Sequence, residues 1–412
     1  MLGGAGTRLI KGLKLASDGY APTLLISPLN IWRVDTVSSG ARLSAGELRT
    51  IYRDGALMPI LFVTNYLSPY QSALFSRKSD VVITYSQLDA RRQWAPLTAE
   101  ARLMDVSRLR RRERFRRISR EVNSSLNGVL IGGSTRAPEF WFSIALCRLR
   151  DIPFAIWLER PRDPLTWGSR TVLRLALGKL GGILGIGTIA TLTYRQSIRG
   201  VRVRNFPYSY GRNVPHSSRL EEIQAPTAHE GTTALFIGTE WERKGLDILL
   251  TAIALMPRTL QSCLSLQVAG LDAAPPELVR HLPIEPSVQV TYLGFLQPEA
   301  IQHELSSVDV LVVPSRYDGW AVVVEEAMAV GTPVIASDEV GAAVDLVVNG
   351  YSGFVFPSED CEALAAALSE VVSRDASDRS LDDGALTIVT RHHNTYNIDT
   401  LERAICGNID SL

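Results

Sequence analysis

The sequence predicts an α/β protein made of two doubly wound, parallel-sheet domains facing each other across a cleft. Three observations carry this. Short apolar runs alternate with helix-length stretches, the alternation starts afresh after a polar interruption at 211–231, and the two halves differ sharply in charge. The 412 residues suit two domains of about 150–200 residues, each able to bury a core. An apolar content of 46% and a charged content of 21% belong to an ordinary globular chain, not a disordered one.

In the first half, APTLLIS (21–27), MPILFVT (58–64), DVVITYS (80–86), NGVLIGG (127–133) and IPFAIWLE (152–159) are apolar runs bounded by turn residues, the pattern of buried parallel strands. Helical stretches such as FWFSIALCRLRD (140–151) separate them. LGGILGIGTIATLTY (180–194) is too short and too rich in Gly and Thr to span a membrane, and reads as a buried strand and its loop. The second half repeats the scheme, with strands at 232–238, 265–270, 288–294, 308–315 and 332–337 and helices at 246–256, 298–308 and 322–330. The expected organisation is a first domain over 1–210, a linker over 211–231, a second domain over 232–390 and a helical tail over 391–412 that packs back on the first domain.

Residues 1–210 hold 32 Lys and Arg against 14 Asp and Glu, and residues 211–412 hold 11 against 29. The neutral total therefore hides a basic half and an acidic half, and the basic half is expected near something anionic. The run SRLRRRERFRRISREV (107–122) concentrates eight arginines and puts Phe115, Ile118 and Val122 on one helical face. It reads as a contact with an anionic membrane surface, the apolar residues dipping in, or as a solvated basic helix. Nucleic acid is disfavoured, because no aromatic interleaving or reader motif accompanies the charge. Four scattered cysteines without a CxxC pair argue against a disulfide framework or zinc cluster and for a reducing compartment. No basic start leads into an apolar core. The expected location is cytoplasmic, peripheral at the inner face of a membrane.

The stretch PSRYDGWAVVVEEAMAVGTPV (314–334) raises the chemical question. A strand ends in the loop RYDGW, and a helix begins near Val322. Ligands of doubly wound sheets bind at the carboxyl ends of strands. The unpaired N–H groups of the helix start favour a phosphate, and Gly319 lets backbone approach closely. Asp318 and Glu326 stand on either side as acceptors for sugar hydroxyls, and Glu325 is expected to face water. From spacing alone, Asp318 either holds a ligand or caps the helix.

This stretch resembles the donor-site signature of the retaining glycosyltransferases with the GT-B fold: an acid, seven residues, then Glu followed by Ala-Met-Ala. GT-B enzymes have two facing Rossmann-like domains. The resemblance continues through GTPVIASDEVGAAVDLVVNGYSGFVFP (331–357), FIGTEWERKGLDILLTAIALM (236–256) and VTYLGFLQPEAI (290–301). In the first half it rests on the Gly3-Gly4 loop, on 131–159 and on NFPYSYGRN (205–213). The resemblance implies a metal-independent, hexosyltransferase-like enzyme of the bacterial surface-polysaccharide type, with a nucleotide diphosphate sugar as donor and no bound cofactor. It implies that Lys244 holds the donor diphosphate beside Gly238 and Arg243, that Asp318 holds the transferred sugar and that Glu326 holds the ribose. It also implies that backbone at Gly319, Trp320 and Ala321 contacts phosphate or sugar, and that Gly294 and Phe295 lie near the base. The acceptor, expected to be a lipid-linked glycan, would meet the first domain.

The chain departs from the family pattern. Thr239 replaces a common arginine, Asp318 a glutamate and Ala321 a glycine. All six histidines lie at 216 or later, so none serves as the histidine many members carry in the first domain. Glu159 is the nearest equivalent by position, either orienting the acceptor hydroxyl or serving as a carboxylate paired by Arg160 and Arg162. The Gly-rich loop comes at residue 3, which leaves no room for a first strand before it and implies a missing strand or an upstream start. These departures keep a second reading open, a catalytically silent glycan-binding or transferase-partner protein.

Overall fold

The computed structural model describes residues 52–53, 56–57, 59–75, 77–86, 101–209, 231–281, 288–375 and 377–406. A short antiparallel pair, β1 (Tyr52–Arg53) and β2 (Ala56–Leu57), precedes the first sheet. That sheet has seven parallel strands: β3 (Ile60–Thr64), β4 (Val81–Thr84), β5 (Arg102–Asp105), β6 (Gly128–Ile131), β7 (Phe154–Leu158), β8 (Gly181–Gly185) and β9 (Arg202–Asn205). Their order is β5-β4-β3-β6-β7-β8-β9. The second sheet has six parallel strands: β10 (Thr232–Ile237), β11 (Leu264–Ala269), β12 (Gln289–Gly294), β13 (Val310–Val313), β14 (Val334–Ser337) and β15 (Gly353–Phe356). Their order is β12-β11-β10-β13-β14-β15. Strand order reverses once in each sheet, between β3 and β6 and between β10 and β13, so each has one crevice at its carboxyl edge.

β3 lies inside the first sheet, between β4 and β6. It is formed by MPILFVT, which the apolar runs place second. APTLLIS, Gly3 and Gly4 lie outside the described residues, as does most of the linker expected at 211–231.

Period-two alternation divides the core. Leu61, Val63, Val129, Ile131 and Ile156 face a cluster that belongs to the first domain alone. Their neighbours Ile60, Phe62, Leu130 and Trp157 face a cluster shared with Leu311, Val313 and Ala336 of the second sheet. Ala234, Phe236, Val312 and Ile335 face a third cluster inside the second domain. The shared cluster takes in Val389 and Ile405 from the carboxyl-terminal helices Ser380–Thr395 and Ile398–Cys406. The tail thus begins before the expected residue 391, and its last helix lies on the first sheet. A Cβ at Gly128 would come within 2.6 Å of Ile405 Cγ2, so β6 carries a glycine where that helix crosses. Arg77 pairs with both Glu402 and Asp399, fixing the other side of the same helix.

The arginine-rich segment forms the helix Arg111–Glu121. Its apolar face does not reach outward. Ile118 and Val122 are fully buried, and Phe115 stacks on Phe142 with ring centroids 4.4 Å apart. The expectation that these residues dip into a membrane is corrected: the fold's own core uses them. No helix among the described residues is long and apolar enough to cross a membrane.

Candidate functional site

The loop after β13 is held rigidly by its neighbours. Arg316 grips Asp247 through both terminal nitrogens, at 2.9 and 2.7 Å, and donates from Nε to Glu359 at 2.7 Å. The backbone N–H of Asp318 donates to Glu339 O at 3.2 Å, and that of Ala342 donates to Trp320 O at 2.7 Å. Residue 341 must be glycine for this, since a Cβ there would lie 2.3 Å from Gly319 O.

Lys244 ends the short helix Trp241–Lys244 after β10. Gly245 follows at φ 76°, a left-handed conformation that starts the next helix, and a Cβ there would collide with Pro314 O. Gly238 leaves room for the Lys244 stem, whose Cγ would be 2.8 Å from a Cβ at that position. Lys244 Nζ then reaches Asp318 Oδ2 at 2.6 Å, with only 19% and 15% of the two side chains exposed. Arg243 turns to Glu240 and to Tyr317 O, and Thr239 is exposed on the loop before them.

The other domain meets this loop at the end of β7. Glu159 Oε2 lies 2.6 Å from where a Cβ on Gly319 would stand, so only a glycine fits there against the facing edge. Tyr208 donates to Glu159 Oε1 at 3.2 Å, and Tyr194 donates to the Glu159 carbonyl at 3.0 Å. Arg160 spans the cleft, pairing with Glu339 and lying 4.7 Å over the Tyr317 ring, while the Tyr317 hydroxyl donates to its carbonyl. Arg160 thus reaches Glu339 and Tyr317 of the facing domain.

Trp320 is 1% exposed and stacks on His392, with centroids 6.0 Å apart. Ala321 has φ 64° and ψ 76°, the left-handed region, and no side chain caps the helix Val322–Ala329 that follows. The first N–H groups of this helix are therefore open to an acceptor. The expectation that Glu325 faces water is overturned: it is fully buried, and its Oε1 is 2.6 Å from His393 Nε2. The helix Ser380–Thr395 packs on this side and carries the histidine. Glu326 is half-buried with no hydrogen-bond partner among the described residues. Burial, and then the neighbouring Glu325 charge, push its carboxyl up to about 7.

Gly294 and Phe295 sit at the carboxyl end of β12, two strands from β10 on the same edge. Gly294 has φ 67° against Asp272, and Phe295 is 59% exposed. Gly3 and Gly4 lie outside the described residues. A cavity of about 550 Å³ opens at the opposite edge of the second sheet, between Asp309, Arg374, Arg379 and Asp382, away from these groups.

Residues 219–386 match the model of the family described as glycosyl transferases group 1. The likeness to that family thus lies in the second domain. The D-inositol 3-phosphate glycosyltransferase of Mycolicibacterium gilvum is 32% identical over 162 residues, which are 38% of this chain and 36% of that protein. The chain thus aligns with about a third of that relative. The alpha-D-kanosaminyltransferase of Streptomyces kanamyceticus is 24% identical over 298 residues, covering 68% of this chain and 72% of that one. The crystal structure of Anabaena Alr3699/HepE, in complex with UDP and glucose, superposes with a TM-score of 0.61 at 16% identity, over 86% of this chain and all of that one. The chain has the GT-B fold, two Rossmann-like domains with facing carboxyl edges.

The structure adds residues the sequence reading did not find. Thr188 N–H, at the start of the helix Thr188–Ser197 in the first domain, donates to Asp345 Oδ2 of the second at 2.9 Å. Burial raises the Asp345 carboxyl to about 6 despite hydrogen bonds from Thr188 and Asn205. Tyr208, Tyr317, Glu339 and His393 likewise act across long sequence distances, which no local motif announces.

Proposed function

We propose that this protein moves a sugar from a nucleotide diphosphate sugar to a hydroxyl of a lipid-linked glycan, with retention and without a metal ion, in cell-surface polysaccharide assembly. One observation supports this above others. Lys244, Asp318 and the uncapped start of Val322–Ala329 share one sheet edge, and Glu159 of the facing domain stands against the same loop at Gly319.

Each group has a chemical role in this reading. A donor diphosphate takes Lys244 and the helix N–H groups, which stabilise charge gathering on the leaving group. Asp318, relieved of Lys244, accepts hydroxyls of the transferred sugar. Glu326, without a hydrogen-bond partner among the described residues, accepts the ribose hydroxyls. Glu159, aimed by Tyr208, orients the acceptor hydroxyl. The bond from the anomeric carbon to the diphosphate oxygen breaks, the bond to the acceptor oxygen forms on the same face, and the acceptor's proton passes to the leaving diphosphate.

The test is calorimetric titration of the chain and its Glu326→Ala variant with UDP, GDP, dTDP and ADP, followed by transfer assays with sugar esters of the base that binds. Selective binding lost in the variant supports the reading. A correctly folded parent that binds none of the four overturns it and favours the silent-partner alternative.

A further inference from the structure

The helices Arg111–Glu121, Pro138–Leu149 and Trp167–Leu177 cover one face of the first sheet, burying Ile118, Cys147 and Leu173 in the same cluster. Their outer side carries the three most exposed large apolar side chains among the described residues: Trp167 at 81%, Leu149 at 80% and Leu175 at 63%. Helical spacing puts Trp167 and Leu175 on one side of Trp167–Leu177 while Leu173 and Leu177 hold the other side in the core. Arg148 donates to Leu175 O at 2.5 Å, which brings Leu149 alongside this helix.

Positive charge surrounds the apolar residues. Arg170 and Arg174 are exposed on the same helix. Arg150, next to Leu149, reaches Ser119 O at 2.5 Å and so joins the patch to the arginine-rich helix. There Arg112, Arg116 and Arg120 recur every four residues on the exposed side. Glu113 is the one exposed acid on the three helices; Glu139 is buried against Arg114 and Glu121 is paired with Arg102.

We propose that this helical face docks on an anionic lipid bilayer, with Trp167, Leu149 and Leu175 in the interface and the arginines at lipid phosphates. Charge alone binds membranes weakly and reversibly, as does a small apolar patch; the two together make a stable peripheral anchor. Tryptophan suits the headgroup level, and arginine stems lie along apolar surface while their heads stay at phosphate. Charge complementarity selects this occupant. A second copy would set the same positive field against itself, and a nucleic acid offers nothing to cover Leu149 and Leu175. The proposal does not depend on sugar transfer.

The test uses the full chain in sedimentation with vesicles of phosphatidylcholine alone and of phosphatidylcholine with phosphatidylglycerol. Two variants accompany it, Trp167→Ser with Leu175→Ser, and Arg170→Glu with Arg174→Glu. The expected result is binding to the anionic vesicles only, weakened by added salt and reduced at least about tenfold in each variant at unchanged melting temperature. No selective sedimentation, or variants that fold and bind as the parent does, overturns the proposal. So does retention of nucleic acid, or concentration-dependent self-association, that the variants abolish without any vesicle binding. Nucleotide titration of the same variants keeps this result separate from the fate of the transferase reading.

Discussion

Lys244 Nζ lies 2.6 Å from Asp318 Oδ2, an ion pair that ties the loop after β10 to the loop after β13. The cation that a diphosphate would seek is occupied by the acid that a sugar would seek. On the proposed function, donor binding exchanges partners, phosphate for carboxylate on the lysine and hydroxyls for ammonium on the acid. Asp318→Asn removes the competitor and is expected to bind free nucleoside diphosphate several-fold tighter while transfer falls by about 10²-fold or more. Lys244→Ala is expected to weaken binding and transfer together. Calorimetry beside initial rates separates the two. If Asp318→Asn weakens diphosphate binding as much as Lys244→Ala does, the exchange is wrong.

Ala321 holds φ 64°, a conformation that disfavours any Cβ. It stands where the resembled family has glycine, at the entrance of the helix that carries Glu326. Ala321→Gly removes the local strain, worth about 1 kcal/mol, against the larger entropy a glycine loses on folding. The strain is the greater of the two at a left-handed position, so a small rise in melting temperature, on the order of one degree, is expected. Ala321→Val, with a branched Cβ at the same φ, should lower it. Thermal unfolding of the three proteins checks the order.

What the sequence reveals and what it hides follow from where the partners come from. β3, β4, β6 and β7 are apolar on both faces and show as runs. β5 and β9 close the edges of the first sheet with Arg102, Asp105, Arg202 and Arg204 among their residues, so no run marks them. The helix Thr188–Ser197 hides in a Gly- and Thr-rich stretch that reads as a loop; Gly187 at φ 87° starts it, and Asp345, 157 residues away, holds its first N–H. Lys244, Asp318, Gly319 and Glu326 are visible because motif and spacing are local. Glu325 deceives, because its burial comes from a helix packed on it from the far end of the chain.

That helix places His393 Nε2 2.6 Å from Glu325 Oε1, with 8% of the histidine side chain exposed and none of the glutamate's. Removing one partner of a buried, charged hydrogen bond leaves the other poorly solvated, at a cost of about 3 kcal/mol. His393→Ala is expected to lose that much in denaturant unfolding. His393→Gln, whose amide still donates, should recover part of it. Equal losses in the two variants would mean that the ring's packing, not its hydrogen bond, holds the helix.

Glu326, one residue on, carries a carboxyl raised to about 7 against an ordinary value of 4.5. Burial is the main cause and the Glu325 charge the second. A group whose folded value is raised binds its proton more tightly in the folded chain. Its contribution to stability is therefore full below about pH 4.5 and is lost as the pH climbs to about 7. Over that window the native protein should shed on the order of 2 kcal/mol through this residue, after allowance for its partial exposure. Glu326→Gln cannot titrate, so its stability curve should be flatter there and should lie above the parent's at neutral pH. The gain would be bought with function, since an amide offers one acceptor oxygen where a ribose diol can use two. Urea unfolding at steps between pH 4.5 and 7.5, on parent and variant, gives the difference directly. Parallel curves would show that Glu326 titrates near its ordinary value and is better solvated than its half-buried position implies.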